Sequence, residues 1–340
     1  MPLVSVEEAC AVTDSILSNA GVPVEHATVQ RDLLLDAELR GLSSHGLLRL
    51  DRIVQRIANG VADPRARGDH QWRSSGFLQV DGQRGLGPVV ALAALDAVQA
   101  RARETGIALA AITNSNHLGM LGWYAERVAS SGQTVIALST SEALVHPWGG
   151  RKALIGTNPI AIGVPTGGEP FVMDTATSVV SMGEIHDRAH RGQPIPPDWA
   201  LDAAGNQTTD ANAAKGGAIA PFGQAKGYAL GLAFELLVSS LAQAAIGTDV
   251  RGTLDATEIC NKGDVFIVID GPQAQLVGYL EQIRAAEPAS GFDAVLVPGD
   301  RARQCRSDRL RDGLPVADDV WQRLTTLANT SQNKSPKLDS

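Results

Sequence analysis

The N-terminal part of the chain has the apolar spacing of helices. Between residues 25 and 40, apolar side chains recur at helical intervals and the run stops near Gly41, which predicts a helix. Ser43 and Ser44 are suitable caps for a second helix over about 45–59, which ends in the turn sequence NGVADP. The pattern therefore predicts an N-terminal helical region.

The middle of the chain alternates strands with helices. The sequence GFLQVDG predicts a strand, and residues 87–105 predict a helix with Pro88 in its first turn. The run IALAAIT over 107–113 predicts a strand, followed by the polar turn NSNH, a helix over 119–131 and a strand over 134–140. This β-loop-α-β unit places the polar turn at the carboxyl end of a strand, where α/β proteins usually bind ligands.

The rest of the chain continues the α/β pattern. Four more strands are predicted, over 160–165, 171–174, 265–270 and 294–297. The polar segment 187–218 and the apolar segment 227–247 lie between them. The apolar segment carries Glu235 and Gln243, so we expect a buried helix packed on its neighbours rather than a membrane span. The polar tail over 329–340 is predicted to be disordered.

Composition narrows the class of protein. Of 340 residues, 44% are apolar and 19% are charged, which is typical of a globular protein, and the net charge of −8 argues against nucleic acid as a partner. The N-terminal sequence MPLVSVEEAC lacks a signal-peptide pattern. Cys10, Cys260 and Cys305 are odd in number and far apart, which favours free thiols. We therefore expect a cytoplasmic protein with no membrane partner.

Common phosphate-binding motifs are missing from the sequence. The glycine-rich run DGQRGLGP has the spacing G-x-x-G-x-G, and neither the dinucleotide fingerprint G-x-G-x-x-G nor a P-loop occurs elsewhere. A dinucleotide bound by this chain would therefore need a scaffold other than a Rossmann domain.

One face of the second predicted helix is basic. His45, Arg49, Arg52 and Arg56 fall at i, i+4, i+7 and i+11, opposite an apolar face. For Arg52 and Arg56 we favour a solvated surface. For His45 and Arg49, which follow a Ser-Ser-His-Gly elbow, two alternatives stay open: a solvated face, or a carboxylate site at a helix start.

His117, in NSNHLGMLGWYAE, follows the predicted strand over 107–113 directly. A histidine here is well placed to meet a ligand, and the first turn of the next helix offers amides to a phosphate. The alternative is that Asn116 and His117 only cap that helix. The residues alone do not decide between the two.

The sequence GEIHDRAHRG resembles the zinc signature H-E-x-x-H. His186 and His190 are one helical turn apart, but Asp187 is shorter than the usual glutamate. A third ligand, His146 or Glu184, has no recognisable spacing, so we favour a polar helix end. A further alternative is that Asp187 orients a catalytic histidine elsewhere in the chain.

Seven blocks in order, spanning about residues 5–320, resemble the type-2 malate/L-lactate dehydrogenase family. The blocks are RGLSSHGLLRL (40–50), NSNHLGMLGWYAE (114–126), HPWGGRKALIGTNPIAIGVP (146–165), FVMDTATSVV (171–180), GQPIPPDWALDAAGNQTTD (192–210), AKGYALGL (225–232) and VPGDRAR (297–303). The family includes sulfolactate, ureidoglycolate and malate dehydrogenases and cyclic-imine reductases acting on piperideine- and pyrroline-2-carboxylate.

The resemblance implies an α/β fold with a mixed sheet: the non-Rossmann dinucleotide-binding fold of the L-sulfolactate dehydrogenase-like type, with an N-terminal helical region. It implies one domain from residues 1–115 and 290–328 that carries the catalytic helix, a cofactor-binding domain over 116–289, and a homodimer. The implied reaction interconverts a 2-oxo acid and a 2-hydroxy acid of malate, sulfolactate or lactate type with NADP or NAD, NADPH being favoured. The alternatives are reduction of a cyclic imino acid, a metallohydrolase at His186 and His190, and a dinucleotide-binding sensor.

The resemblance also assigns residues. His45 is the acid/base, with Ser44 and Asp187 as relay partners, and His117 has the proton-transfer role in some members. Arg49 grips the substrate carboxylate and Thr157 contacts the substrate. Apart from the resemblance, the position of Arg52 one turn beyond Arg49 leaves two alternatives: it faces solvent, or it meets a second anionic group, which would favour malate or sulfolactate over lactate. No metal is implied. The cofactor-contacting positions are His117, Leu118, Gly119, Met120, Leu121, Asp174, Thr175, Ala176, Lys226, Asp300, Arg301 and Arg303.

Overall fold

A computed structural model describes residues 3–330 of the chain. The helices are α1 (Val6–Asn19), α2 (Val24–Leu39), α3 (Leu50–Ala58), α4 (Gly87–Thr105), α5 (Leu121–Ser130), α6 (Met182–His190), α7 (Ala211–Ala214), α8 (Ala225–Ala242), α9 (Val277–Arg284), α10 (Asp300–Asp312) and α11 (Asp318–Asn329). The strands are β1 (Leu3–Val4), β2 (Asp69–Ser74), β3 (Phe77–Asp81), β4 (Ile107–Thr113), β5 (Thr134–Ser139), β6 (Ile160–Val164), β7 (Phe171–Thr175), β8 (Ala200–Leu201), β9 (Ala218–Ile219), β10 (Asp264–Ile269) and β11 (Leu314–Pro315).

A seven-stranded mixed sheet is the centre of the fold, which confirms the predicted fold class. Its strand order is β2-β3-β4-β10-β5-β6-β7. Strands β3 and β4 are parallel, and every other neighbouring pair is antiparallel. The predicted β-loop-α-β unit is present as β4, α5 and β5, but β10 lies between its two strands. Residues far apart in sequence therefore meet at the centre of the sheet.

Helices cover both faces of the sheet. On one face, α4 buries its apolar side against β3, β4 and β10, and α5 against β5, β6 and β7. On the other, Val238 and Ala242 of α8 pack against β4, β5 and β10. A separate apolar cluster joins α1, α2, α3 and α11 into the predicted N-terminal helical region. This region packs beside the sheet through α2, whose Leu33 belongs to the sheet's core.

The second predicted helix begins later than expected. Two 3₁₀ turns, Ser43–His45 and Leu47–Arg49, precede α3, which begins only at Leu50. Gly46 between the turns has φ −96° and ψ −143°, which is outside the helical region. The chain is therefore kinked at the predicted catalytic residues, and those side chains do not form one straight helical stripe.

One strand prediction was wrong, and one strand of the central sheet was missed. Residues 294–297 form no strand in the part of the chain that the structure describes; the amide of Val297 donates instead to the Asp300 carboxylate at 2.9 Å. The edge strand β2, with the sequence DHQWRS, was missed because most of its side chains face solvent and show no apolar alternation.

The apolar helix α8 is buried on one side only. Gly227, Gly231 and Val238 are among its buried residues, whereas Leu236 is 51% and Leu237 43% exposed. The prediction of a buried helix was therefore half wrong. By length and composition α8 is long and apolar enough to cross a membrane. Core helices of water-soluble proteins can have the same length and composition, and 33% of α8 is buried inside the protein.

The predicted division into two domains stays a prediction. The central sheet combines β3 and β4 from the first predicted unit with β5, β6, β7 and β10 from the second. Of the predicted disordered tail, Asn329 is the last residue of α11, and residues 331–340 lie outside the described part of the chain.

A buried ion pair joins the central strands at their ends. Lys262 is 2% exposed and Asp264, the first residue of β10, is fully buried. The Lys262 ammonium contacts both carboxylate oxygens, which also accept hydrogen bonds from the hydroxyls of Ser139 at 2.6 Å and Ser115 at 3.2 Å. The pair therefore ties the segments after β4 and β5 to the start of β10.

We expect Lys262→Met to lower the free energy of unfolding by about 3–5 kcal/mol, because it leaves the Asp264 charge buried without its partner. The double variant Lys262→Met/Asp264→Asn removes that charge and should recover part of the loss. Urea unfolding of both variants at one protein concentration measures the effect. A double variant as unstable as the single one would contradict this interpretation of the pair.

Candidate active site

Glu38, the penultimate residue of α2, stabilises the kinked segment before α3. Its carboxylate accepts hydrogen bonds from the Leu47 amide at 2.9 Å and the Ser43 hydroxyl at 2.9 Å. A Cβ on Gly46 would lie 2.3 Å from Glu38 Oε1, so only glycine fits there. Burial raises the pKa of Glu38. Sequence reasoning missed this residue, although a glutamate at the apolar end of a helix was a usable signal.

His45 contacts Ser44, as the resemblance implied. Its Nδ1 lies 3.1 Å from the Ser44 hydroxyl. Burial, and then the nearby Arg49 guanidinium, lower the pKa of His45 to about 4. With Nδ1 on the hydroxyl, Nε2 is the nitrogen left to exchange a proton with a ligand.

Asp187, the third expected member of the relay, has another partner. The first turn of α6 approaches Ser44, where a Cβ on Gly183 would lie 3.2 Å from the serine Cβ. One turn later, the Asp187 carboxylate pairs with Arg191 at 3.1 Å and its side chain is 44% exposed. Among residues 3–330, none of the hydrogen bonds or ion pairs found joins Asp187 to His45, so its relay role stays a prediction without a supporting contact.

His117 lies beside His45, with 5.7 Å between the ring centroids. The Gly119 amide donates a hydrogen bond to its Nδ1 at 3.0 Å. Because a backbone amide can only donate, Nδ1 must be unprotonated and the neutral ring carries its proton on Nε2. Burial and the Arg49 charge lower the pKa of His117 well below its usual value. His117 is therefore held as a neutral hydrogen-bond donor.

Neither Asn116 nor His117 caps the next helix, so the capping alternative was wrong. Residue Met120 precedes α5 and no side chain caps it. Gly119 has φ +76°, and a Cβ there would lie 2.2 Å from Leu33. This glycine lets the chain turn tightly enough to place its own amide on His117.

The three arginines of the predicted stripe differ in their surroundings. Arg49 Nε donates to the Ser44 carbonyl at 2.7 Å, which leaves its terminal nitrogens for a ligand. Arg52 lines the same pocket and, within the described residues, makes no hydrogen bond or ion pair with a protein group. Arg56 is 6% exposed and hydrogen-bonded, so the prediction of a solvated surface at this position was wrong.

These side chains share a pocket of about 520 Å³, including its open mouth. His45, His117, Arg49 and Arg52 form its polar wall, and Leu33, Leu34, Ile53 and Leu86 belong to its apolar wall. No acidic side chain lines the pocket within the described part of the chain. Burial, then repulsion by Arg52, lowers the pKa of Arg49 to about 10. The pocket is thus strongly electropositive and suited to small anions.

The expected cofactor positions lie on three neighbouring elements. Leu118, Met120 and Leu121 are buried in the core, so only their backbone can touch a ligand. The Asp174 carboxylate accepts from the Gly122 amide at 2.6 Å, and Thr175 and Ala176 follow it. The next residue, Thr177, contacts α8, because a Cβ on Gly231 would lie 2.7 Å from its hydroxyl.

Other expected site residues lie outside the pocket. Lys226 is exposed in the first turn of α8. The Thr157 hydroxyl is 3.2 Å from the Ser141 hydroxyl. On α10, Arg301 is exposed, while Arg303 and Arg284 both pair with Asp300 and hold the pKa of that carboxyl well below its usual range. The Asp300 carboxylate therefore holds α10 and α9 together.

The metal hypothesis gains no support from the geometry. His186 and His190 are both exposed on α6. Over residues 3–330, no group of three histidine, cysteine, aspartate or glutamate side chains is arranged to hold a metal ion.

Comparison with known proteins gives a consistent result along the chain. The sequence pattern of the malate/L-lactate dehydrogenase family matches residues 4–325. L-sulfolactate dehydrogenase of Methanothermobacter thermautotrophicus is 34% identical over 96% of both chains. (2R)-3-sulfolactate dehydrogenase (NADP(+)) of Chromohalobacter salexigens is 36% identical over 90% of this chain and 92% of that protein.

Two further proteins match the chain: a relative that is named for a different activity, and a protein whose structure is solved. Delta(1)-pyrroline-2-carboxylate reductase of Pseudomonas fluorescens is 33% identical over 92% of this chain and 94% of that protein. The crystal structure of a dehydrogenase from Sinorhizobium meliloti is 48% identical, with a TM-score of 0.93 over 96% of this chain and 98% of that one.

The titration of His45 should appear in the stability of the protein. The folded protein keeps His45 neutral down to about pH 4, whereas the unfolded chain takes up a proton near pH 6.5. The unfolded state then binds more protons in this window, so the free energy of unfolding falls as the pH falls from about 6.5 to 4. We expect a shallower fall in His45→Gln.

Urea unfolding at several pH values between 7 and 4 measures this slope. His190→Gln, which removes an exposed histidine on α6, controls for the loss of one imidazole. Equal slopes in wild type and His45→Gln would mean that His45 is not held neutral in the folded protein.

Proposed function

Since the chain belongs to the malate/L-lactate dehydrogenase family and is an NAD(P)-dependent oxidoreductase, we propose that its substrate is a small 2-oxo acid with a second anionic group, reduced to the 2-hydroxy acid. The reverse oxidation uses the same site. Malate and sulfolactate are 2-hydroxy acids of this kind, and relatives that bear their names match nearly the whole chain.

The observation that carries the proposal is the charge of the pocket. Arg49 offers its terminal nitrogens and Arg52 its whole guanidinium, while no acidic side chain among the described lining residues offsets them. Two cations without a carboxylate partner favour a ligand with two negative charges, because a single carboxylate on Arg49 would leave the half-buried Arg52 charge without a partner. We assign the 2-oxo carboxylate to Arg49 and the second anion to Arg52.

The two histidines have different roles in this mechanism. NAD(P)H, when bound, supplies the hydride for carbon 2 of the substrate. His45 donates the proton from Nε2 to the developing alkoxide, since its Nδ1 can keep the Ser44 hydroxyl as partner in either protonation state. His117 donates a hydrogen bond from its neutral Nε2–H and polarises the carbonyl without giving up a proton.

Substrate binding would also adjust the pKa of His45. In the free pocket, burial and the Arg49 charge keep this histidine neutral at pH 7. A dianion between Arg49 and Arg52 offsets those cations and raises the pKa of His45 toward neutrality. His45 would thus take up its proton when the substrate anion binds.

The expected cofactor residues suit a dinucleotide. The exposed Lys226 ammonium and the N-terminus of α8 offer a cation and a helix dipole to a diphosphate. The strip from Asp174 to Ala176 lies between α8 and the start of α5. We extend the proposal to NADPH as the preferred donor, as the name of the Chromohalobacter salexigens relative indicates for that protein. We also propose a cytoplasmic location, in line with free thiols at Cys10, Cys260 and Cys305.

Reduction of a cyclic imino acid is the second candidate. The apolar wall of Leu33, Leu34, Ile53 and Leu86 suits a saturated ring, and the Pseudomonas fluorescens relative is a pyrroline-2-carboxylate reductase. Arg49 and His45 would serve a C=N bond as they serve a C=O bond. This candidate leaves Arg52 without a partner, so we rank it second.

A substrate panel tests the proposal. NADPH or NADH consumption is followed with oxaloacetate, sulfopyruvate, pyruvate and piperideine-2-carboxylate. The proposal expects the highest kcat/KM with one of the two dianionic acids. A preference for piperideine-2-carboxylate would favour the second candidate, and no turnover of any 2-oxo acid would contradict the proposal.

We also propose that the chain forms a homodimer through α8. Leu230, Leu236 and Leu237 form an apolar strip on its outer face, with the small residues Ala229 and Ala233 between them. An exposed strip of this kind, on a helix without charges beyond Lys226 and the buried Glu235, is typical of a protein interface. A second copy of the same strip is complementary to it in polarity.

Replacing Arg52 should lower kcat/KM for dianionic substrates much more than for monoanionic ones. We expect Arg52→Met to lower kcat/KM for oxaloacetate by about 10- to 100-fold, the value of one charged hydrogen-bonding partner, and to change kcat/KM for pyruvate by less than about threefold. Arg67→Met, which removes an exposed arginine outside the pocket, is the control. Equal losses with both substrates would mean that Arg52 does not hold the second anion.

Replacing Leu236 should weaken the dimer. We expect Leu236→Asp to shift the mass measured by light scattering at micromolar concentration from two chains toward one, because it places a charge in the apolar strip. Val24→Asp makes the same change at an exposed apolar residue on α2. A dimer unaffected by Leu236→Asp would move the interface away from α8.

A further inference from the structure

The buried guanidinium of Arg56 joins three parts of the chain around the pocket. Arg56 lies in the last turn of α3, one turn beyond Arg52, and is 6% exposed. Its Nε donates to Oδ1 of Asn116 at 2.7 Å. Its two terminal nitrogens donate to the carbonyl oxygens of Asp255 at 2.8 Å and Glu258 at 3.0 Å. These partners lie about 60 and 200 positions away in the sequence.

The segment 252–258 forms one wall of the pocket through Gly252 and Thr253. It contains no helix or strand, so side chains from elsewhere decide its position. The Glu142 carboxylate accepts from the Thr253 amide at 2.8 Å and holds one end. Arg56 holds the other end, and Asn59 adds an exposed hydrogen bond to the Ala256 carbonyl at 2.8 Å.

Asn116 transmits the same constraint to His117. Its side-chain nitrogen donates to the carbonyls of Arg84 at 2.7 Å and Gly85 at 3.0 Å, and its amide donates to Gly85 as well. Arg56 donates the hydrogen bond that the side-chain oxygen of Asn116 accepts. The orientation of the peptide next to His117 therefore depends on a side chain from α3.

A purely structural contact would not need a charge here. Arg56 makes no ion pair among the described residues, although its charge, after the Glu258 and Thr257 amides, helps to lower the pKa of the Asp255 carboxyl. A buried guanidinium is destabilising unless hydrogen bonds such as these three compensate for its lost hydration. The planar guanidinium fits these three acceptors at fixed angles, which a lysine ammonium cannot do.

We propose that Arg56 is a positioning residue for the reaction, which fixes the Gly252–Thr253 wall and the His117 segment with one guanidinium. This inference rests on the proposed function, since it concerns the geometry of the same pocket. Displacing either wall moves a substrate contact relative to Arg49, and a displacement of about 1 Å can reduce a rate by about 10²-fold.

Steady-state kinetics with the best substrate of the panel test the proposal. We expect Arg56→Lys and Arg56→Ala to lower kcat by about 10-fold or more, and guanidinium ion at tens of millimolar to restore part of the rate in Arg56→Ala. Ammonium ion should not restore it. Asn59→Ala, which removes only the outer contact to the 252–258 segment, should keep the rate of the wild type. Arg56→Ala with an unchanged kcat would overturn the proposal.

Hydrogen exchange tests the coupling without using turnover, so a failure of the proposed substrate does not affect it. We expect Arg56→Ala to speed amide exchange in two segments together, 252–258 and 114–121, while Asn59→Ala speeds exchange only in 252–258. Arg56→Ala that leaves 114–121 unchanged would show that Arg56 does not position His117, and would overturn the inference.

Discussion

Five basic side chains line one small pocket that has no acidic side chain among its described lining residues, and much of the surrounding structure serves to hold them there. The charges of Arg49 and Arg52 repel each other and oppose protonation of His45 and His117. Neutral groups fix three of these side chains: the Ser44 hydroxyl contacts His45, the Ser44 carbonyl accepts from Arg49, and the Gly119 amide donates to His117. The resulting potential is what a small dianion would neutralise.

The proposed acid/base pair, His45 and His117, is thus organised by hydrogen-bond direction more than by a carboxylate relay. A backbone amide on Nδ1 restricts His117 to a neutral donor, while the hydroxyl beside His45 accepts or donates. Glu38, the penultimate residue of α2, stabilises the kinked segment from within the core. The Asp187 carboxylate pairs with Arg191. Asp187 lies one turn after Gly183, the residue of α6 that approaches Ser44.

Local patterns predicted the local structure well. The helix over 87–105 and the strand over 107–113 coincide with α4 and β4, because continuous apolar spacing determines both. The family blocks identified His45, Arg49 and His117, which the structure brings to one pocket. Glu38 was missed although its partners Ser43 and Leu47 are local. Arg56, interpreted as surface, and the buried Lys262–Asp264 pair depend instead on partners elsewhere in the sequence. No periodicity along the chain reveals such a partner.

The central claim, that a dianion enters a cationic pocket and draws a proton onto His45, is most directly tested by calorimetry. Malonate binding to the protein–NADPH complex is measured at pH 6.5 in two buffers with different ionisation enthalpies, which gives the number of protons exchanged. The account predicts net proton uptake in the wild type and its loss in His45→Gln. Binding without proton uptake, or uptake that persists in His45→Gln, would contradict it.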